Sequence, residues 1–428
     1  MHTSKIHTDL AVIGSGLAGI GASLFAANRG IHTIHVGGSS ELIFASGLID
    51  LVGIHPVSEK KLWTNPWYAL DALKKDNPFH PYSRMPKQSI RSALDEFIDG
   101  LQTAGVTYKR HYEQNSQIMM PIGTVKTTYG VPKSMWDGVV TMKKKEPCLI
   151  VGIRGLLGFS SRQIAETLKS HWPGLRHTTI SFPGLEKSSE VYTEPMARSL
   201  KLAETRERLA VSVRPYVGMV NAIGFPAIFG IQDMDVIISD MQDRLGVRIF
   251  EIPTMPPSIP GLRIKEAMDA YLREIGVRTL FPKKVLNVQH DNKVFLLGIG
   301  DTTVEHTVRA NAVILASGRF LGGGLIAERK QIREAIFDLP VFQPGNRELW
   351  HNQNFFDPRG HAINLAGLEI DDHFRPLLKN GLPAFNNLFA AGSILAHQDW
   401  MRMKSGAGLA IATAYASVES LNKLAILK

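Results

Sequence analysis

One stretch near the amino terminus restricts the fold more than any other. "DLAVIGSG" is a short apolar run entering glycines, "LAGIGASLFAANRG" has helical spacing and stops at Gly30, and "IHTIHVGG" is a second strand pattern. Strand, helix and strand in that order predict a β-α-β unit. The glycines across the first turn fall as Gly14-Ser-Gly16-Leu-Ala-Gly19. Gly14 permits the tight turn, Gly16 lets backbone approach a phosphate or pyrophosphate, and Gly19 lets helix and strand pack closely. The helix terminus offers unsatisfied N–H groups to the same anion. The expected ligand is a nucleotide, and the competing reading is a structural turn.

The acidic residue that usually accompanies this turn is missing. A dinucleotide site normally ends its second strand with Asp or Glu, which holds the adenosine ribose hydroxyls. Here the strand ends Val36-Gly37-Gly38-Ser39-Ser40, and Glu41 comes late. Either Glu41 or Ser39 substitutes, or the ligand has no adenosine ribose. FMN meets the second condition, because its phosphate uses the helix terminus without an acidic partner. FAD is the alternative.

Three further constellations follow. Phe44-Ala-Ser46-Gly47-Leu-Ile-Asp50 is a small hydroxyl-bearing loop suited to close approach of a flat ring. Its Ser46 and Gly47 amides are expected near a flavin N5, against the competing reading of an ordinary loop. "VILASGRFLGGGL" carries Ser317, Gly318 and Gly322 to Gly324. "LFAAGSILAHQDW" carries Gly392 and Ser393, and Ser405-Gly406-Ala-Gly408 follows it into a final small-residue helix.

Between these elements lies a second alternating pattern. "CLIVGI", "HTTISF", "MVNAIGF" and "VRIFEIP" read as strands separated by helical stretches, which predicts a parallel sheet with helical crossovers. Its first turn, Gly152-Ile-Arg-Gly155-Leu-Leu-Gly158, suits an anion or, as the favoured reading, tight strand–helix packing. Residues 60–145 read as mixed, with a helix over Ser89 to Ala104, strands at "VTYKRHY" and "GTVKTTY", and a solvated Lys143–Lys145 run. After Thr254 come a proline-rich loop, a helix to Ile275, and strands including "KVLNVQH", "KVFLLGI" and "TVEHTVRA", with Asp291-Asn292 as a hairpin turn. The expected fold is α/β: a Rossmann-like two-dinucleotide-binding-domain flavoprotein with an inserted parallel α/β unit. Residues 1–145 and 252–428 form a discontinuous flavin-binding domain, and 146–251 the inserted unit.

Composition narrows the function classes. The 428 residues suggest two or three domains, and 44% apolar with 20% charged residues rules out wholesale disorder. The single cysteine, Cys148, makes no intrachain disulfide, no iron–sulfur cluster and no four-cysteine zinc site. No metal site is expected, since His32 and His35, three apart on a strand, point to opposite faces. The charge of +9 fits a negatively charged substrate or partner, and it lacks the clustered patch of a nucleic-acid binder. The uncharged stretch Leu10 to Asn28 carries Gly14, Gly16, Gly19 and Gly21 and begins as a strand. A signal peptide is the competing reading of that stretch, and a cytoplasmic protein is expected.

The constellations resemble the two-dinucleotide-binding-domain flavoproteins, in which the final strand–helix places an amide beside the flavin ribityl chain and O2. A closer resemblance rests on "FASGLIDLVG", "HPYS", "IPTMPPSIPGLR", "VILASGRFLGGGLIAERKQIRE" and "NNLFAAGSILAHQD". These are similar to the family of the anaerobic glycerol-3-phosphate dehydrogenase B subunit. The resemblance implies an FMN-containing subunit paired with an FAD-containing A subunit and a membrane-associated, iron–sulfur C subunit. That complex oxidises glycerol 3-phosphate to dihydroxyacetone phosphate and passes electrons to the quinone pool. The implied location is cytoplasmic, peripheral to the membrane through the complex. One departure is "AHQDWMRMKSGAGLAIA", where Arg402 and Lys404 replace a more neutral approach to the last helix.

Such a reaction needs a base for the C2 hydroxyl, a path for the C2 hydride to flavin N5, and cations for the phosphate dianion. His80 is the candidate base and Arg263, Arg329 and Arg333 are the candidate cations. A turn histidine before Pro81 and an Arg329–Glu328 ion pair are the competing readings. Other functions remain open: a stand-alone FAD oxidoreductase of the fumarate-reductase type, a non-catalytic electron-relay subunit, or a basic RNA-modifying flavoprotein.

Overall fold

The computed structural model describes residues 4–38, 41–291, 293–424 and 426. Ser39 and the hairpin residue Asn292 lie outside these, and so does the Glu41 side chain. The chain forms two compact units. The first comprises Met1–Glu41, Ile49–Ala104 and Met268–Lys428, and the second Leu42–Leu48 and Gly105–Ala267.

The first unit is built on a seven-stranded sheet. Its central strands are β1 (Ser4–Ile13), β2 (Thr33–Val36), β3 (Val304–Leu315) and β4 (Leu388–Ala390). β2, β1, β3 and β4 run parallel, with β1 paired to both β2 and β3, and β4 paired to the end of β3. The strand Arg278–Leu280 extends the parallel part beyond β2. On the other side, Val294–Gly300 pairs antiparallel with β3, and Lys284–Asp291 pairs antiparallel with that strand. Leu10, Ala11, Val12 and Ile13 are buried, as a strand flanked on both edges and covered on both faces requires.

"TVEHTVRA" and "NAVIL", read from sequence as separate strands, are one strand in β3. Its first half alternates in burial, and its second half, Ala312 to Leu315, is buried throughout. The change of pattern marks entry into the covered part of the sheet, not a break.

Two helices lie on this sheet: α1 (Leu17–Asn28) and α2 (Gly406–Lys423). α1 is buried from Ala18 to Ala26, the mark of a helix enclosed on most sides. At Gly21 a Cβ would stand 3.5 Å from the Ala414 methyl of α2, so small residues set the close approach of the two helices.

The second unit holds a four-stranded parallel sheet ordered Arg248–Ile252, Ala222–Pro226, Cys148–Ile153 and Leu175–Ile180. These strands occupy the stretch expected for the inserted unit. The unit around them is wider than 146–251, because it takes in 42–48, 105–145 and 252–267. The reason is visible at the helix Lys133–Lys144, where a Cβ on Gly138 would stand 2.5 Å from the Phe250 ring. Lys143 and Lys144 form its last turn, where cations complement the helix dipole. The stretch from Glu194 to Ala210, read as one helix, divides into Thr193–Ser199 and Ala203–Val217.

The turn at Gly152 to Gly158 is occupied by packing. A Cβ at Gly155 would meet the Ser189 carbonyl at 2.8 Å, and Ser160 caps the following helix by accepting from the Gln163 amide at 3.2 Å. Among the described residues no helix is long and apolar enough to cross a membrane, and no three His, Cys, Asp or Glu residues group as for a metal.

Candidate functional site

The amino-terminal glycine turn is fixed from three directions. Gly14 has φ +125°, and a Cβ there would lie 2.1 Å from the Ala316 carbonyl oxygen at the end of β3. A Cβ on Gly19 would fall 1.7 Å from the Gly14 oxygen and 2.9 Å from His35 Nε2. That space is needed because His35 Nε2 donates to the Gly14 carbonyl at 2.8 Å. Burial holds His35 neutral, lowering its pKa to about 4. His32 is exposed and His35 buried, as opposite faces require.

Gly16 differs from its neighbours. It caps α1 with an extended backbone, and a Cβ there would meet nothing within 4 Å. The first turn of α1 carries no acidic residue, so its amides face open space as an electropositive end. At the end of β2 the missing carboxylate has a steric cause. A Cβ on Gly37 would stand 2.7 Å from the Ser15 Cβ, leaving no room for a side chain there.

The turns after β3 and β4 are joined by one side chain. Gly318 has φ +72° and Gly392 φ +82°, and a Cβ on Gly392 would press within 2.7 Å of Ala18 in α1. The Gly392 amide donates to Thr413 Oγ1 in α2 at 2.8 Å. Arg319 Nε donates to the Ser393 carbonyl at 2.6 Å, and its Nη2 donates to those of Leu395 and Gln398 at 3.0 Å each. Its Nη1 donates to the Asn364 carbonyl. Sequence reasoning passed over Arg319 although it stands inside a quoted motif. Its partners lie 45 to 79 residues away, so no local spacing announces them.

The start of α2 carries buried polar atoms. Ser405 is fully buried at the N-cap, yet its hydroxyl neither caps the helix nor finds another partner among the described residues. Gly406 packs under Trp400, where a Cβ would lie 2.7 Å from the indole. The Gly408 amide donates to the Asp50 carbonyl at 2.7 Å, and a Cβ on Gly408 would crowd the Tyr82 hydroxyl at 2.9 Å. Arg402 pairs with Asp399 at 3.1 Å, and Lys404 is the left-handed residue that ends the short helix Trp400–Met403.

His80 lies in the same unit, stacked on Tyr82 with ring centroids 5.3 Å apart. Its Nδ1 accepts from the Tyr82 amide at 3.1 Å, which places the proton of the neutral ring on Nε2. Nε2 is buried without a partner, and burial lowers the pKa to about 3. At neutral pH His80 is therefore built as a hydrogen-bond donor, with no lone pair spare for the role of base.

The remaining expected residues divide between the units. Arg329 is exposed in the first unit, and Glu328 pairs with Arg333 at 3.2 Å rather than with Arg329. Ser46, Gly47 and Arg263 belong to the second unit. Ser46 is half-buried. Gly47 is pressed against Pro260, where a Cβ would lie at 2.6 Å, and its carbonyl accepts from the Tyr108 hydroxyl. Arg263 is buried and occupied: Nη2 donates to Glu251 Oε1 at 2.8 Å, Nη1 to Oε2 at 2.5 Å, and Nε to the Gly230 carbonyl at 2.7 Å. The guanidinium holds the Glu251 carboxyl below its usual pKa despite complete burial. Arg263 thus serves the interior of its unit and has no face left for a phosphate.

The first unit therefore gathers Gly14, Gly16, Gly19, Gly318, Gly392, Ser393, Gly406 and Gly408. It offers open space at Gly16, two helix amino termini without first-turn acids, and buried hydroxyls of Ser317 and Ser405 that lack partners. This donor-rich set fits the phosphate, ribityl chain and pyrimidine edge of a flavin.

Comparison with known proteins agrees. Residues 9–409 match the family described as FAD binding domain. The anaerobic glycerol-3-phosphate dehydrogenase B subunit of Vibrio vulnificus strain YJ016 is 32% identical over 97% of this chain and 96% of its own length. A protein of Halobacterium salinarum described as a probable subunit of the same kind is 30% identical over 96% of this chain and 97% of its own. Among solved structures, a 3-ketosteroid Δ1-dehydrogenase from Sterolibacterium denitrificans is 12% identical, with TM-score 0.44 over 99% of this chain and 100% of its own. A flavocytochrome c3 fumarate reductase gives 10% identity and TM-score 0.42 over 98% of this chain and 79% of its own. The chain is an α/β, Rossmann-like flavoprotein of the FAD-binding domain family, and it belongs to the family of the anaerobic glycerol-3-phosphate dehydrogenase B subunit.

Proposed function

We propose that the chain is the flavin-bearing B subunit of a glycerol-3-phosphate:quinone oxidoreductase. The observation that carries this reading is the full-length match, at 32% identity, to a subunit of that name. When bound, the flavin supplies an acceptor for the two electrons released as glycerol 3-phosphate becomes dihydroxyacetone phosphate. This chain's own contribution is to hold that group. The α1 terminus at Gly16 receives its phosphate, and the α2 terminus beside Ser405 presents N–H and O–H donors to its oxygens. The flavin is read as FMN because the segment after β2 carries no carboxylate before Glu41, and Gly37 leaves no space for one. FAD is the alternative favoured by the family description. Chromatography of flavin released by denaturation separates the two.

The partners in this reading are an FAD-containing A subunit and a membrane-associated iron–sulfur C subunit, which keep the chain at the cytoplasmic face of the membrane. With Arg263 committed to Glu251, Arg329 is the cation left for the substrate phosphate. In the assembled complex Arg329→Ala should raise KM roughly ten- to a hundredfold without loss of flavin, the effect of one charge-assisted hydrogen bond. Unchanged kinetics would favour the second reading, an electron-relay subunit. The buried, donor-only ring of His80 supports that second reading, since it leaves no base among the residues expected to supply one.

A further inference from the structure

We propose that Arg319 is a positioning residue that carries an uncompensated positive charge beneath the flavin turns and raises the reduction potential of the bound flavin. The inference rests on the flavin reading of the site. Arg319 directly follows Gly318, and its guanidinium reaches across to the turn after β4. There it is held by the main-chain carbonyls of Ser393, Leu395 and Gln398, and also by that of Asn364.

The nature of those partners matters more than their number. A guanidinium taken out of water is normally matched by a carboxylate. Arg263 in the second unit shows the usual solution, two donors on Glu251. Arg319 has only carbonyl dipoles, which satisfy its hydrogen bonds while leaving its net charge. Burial lowers its pKa to about 10, and Asp399 is the ionisable group that acts on it. The Asp399 carboxylate is already engaged by Arg402 at 3.1 Å. An arginine remains charged under these conditions where a lysine would be apt to lose its proton. The charge therefore sits permanently behind the turns of Gly318 and Ser393, where a reduced flavin gains negative charge. The same bonds fix the carbonyls of the Ser393 turn, so charge and loop position come from one side chain.

The experiment measures the midpoint potential of the flavin that purifies with the full chain, for the parent and for Arg319→Gln and Arg319→Lys. Arg319→Gln removes the charge and should weaken binding of reduced relative to oxidised flavin about tenfold, which is about 30 mV for a two-electron couple. Arg319→Lys keeps the charge at pH 6, so its potential there should match the parent within about twofold in the same ratio. As pH rises the buried lysine deprotonates, and its potential should fall below the parent's with a break the parent lacks. If Arg319→Gln does not fold, that break in Arg319→Lys decides alone. An unmoved potential in Arg319→Gln, an Arg319→Lys curve parallel to the parent at every pH, or flavin loss from both variants would overturn the proposal. A parent chain that purifies without flavin would instead overturn the reading on which it rests.

Discussion

His35 Nε2 donates to the Gly14 carbonyl oxygen at 2.8 Å, so an imidazole at the end of one strand holds the glycine turn at the end of its neighbour. The bond needs a neutral ring with its proton on Nε2, and burial keeps it so. The folded-state pKa of about 4 lies below the ordinary value of 6.5. Between these values the unfolded chain binds the proton and the folded chain does not. Stability is therefore fully present above about pH 6.5 and falls as pH drops through 4. The whole effect is on the order of 3 kcal/mol. His35→Gln should start with a lower Tm at pH 7.5, and the gap to the parent should narrow towards pH 4.5. A gap constant with pH would show that His35 does not titrate in this way.

Gly16 and Gly19 should respond oppositely to an added methyl. A Cβ at Gly19 has no room beside the Gly14 carbonyl, so Gly19→Ala should unfold the first unit or lower its Tm severely. A Cβ at Gly16 meets open space, so Gly16→Ala should keep the fold. It should still lose flavin, because that space is where the phosphate would lie. Flavin absorbance and Tm of both proteins separate these effects. Full flavin content in Gly16→Ala would place the phosphate elsewhere.

Gly155→Ala is the matching control in the second unit. Its backbone has φ +81° and its Cβ would strike the Ser189 carbonyl, so stability should drop. Flavin content per folded molecule should stay at the parental level. Selective flavin loss would mean that the cofactor belongs to the other glycine turn.

Arg263→Met should be strongly destabilising, by about 3–5 kcal/mol, because it leaves Glu251 buried without its partner. Adding Glu251→Leu should recover much of the loss. Denaturant unfolding of the parent, both single variants and the double variant measures the coupling. A double variant as unstable as the sum of the singles would show that the two groups act independently.

The elements that could be read from sequence were those whose pattern is local. The strand–helix beginning at Leu10, the strand Cys148–Ile153 and the helix observed at Lys87–Thr103 each carry their periodicity within one short window. The helix Lys133–Lys144 escaped notice because Gly138, Val139 and Val140 weaken its helical propensity. Its glycine is explained only by Phe250, more than a hundred residues later. Site residues divide the same way. Gly14, Gly16 and Gly19 announce themselves by spacing, whereas His35 and Arg319 act through main-chain carbonyls brought near by the sheet. Arg263 looked like a free cation because nothing local marks Glu251 as its partner.

The register of β1 has a consequence for how the protein is made. Ser4 pairs with His306, and Val313 to Leu315 of the same partner strand pair with β4 from Leu388 onward. During synthesis the amino-terminal β-α-β unit leaves the ribosome long before its central neighbour exists. Residues 105–267 can meanwhile complete their own parallel sheet, whose strands pair only among themselves. The apolar run at Leu10 must wait, exposed, until β3, β4 and α2 have all emerged. A nascent chain arrested short of residue 388 thus has the turn that would seat a phosphate but no Gly392 or Ser405 to close the site, so cofactor capture is the last event of biosynthesis rather than its nucleus.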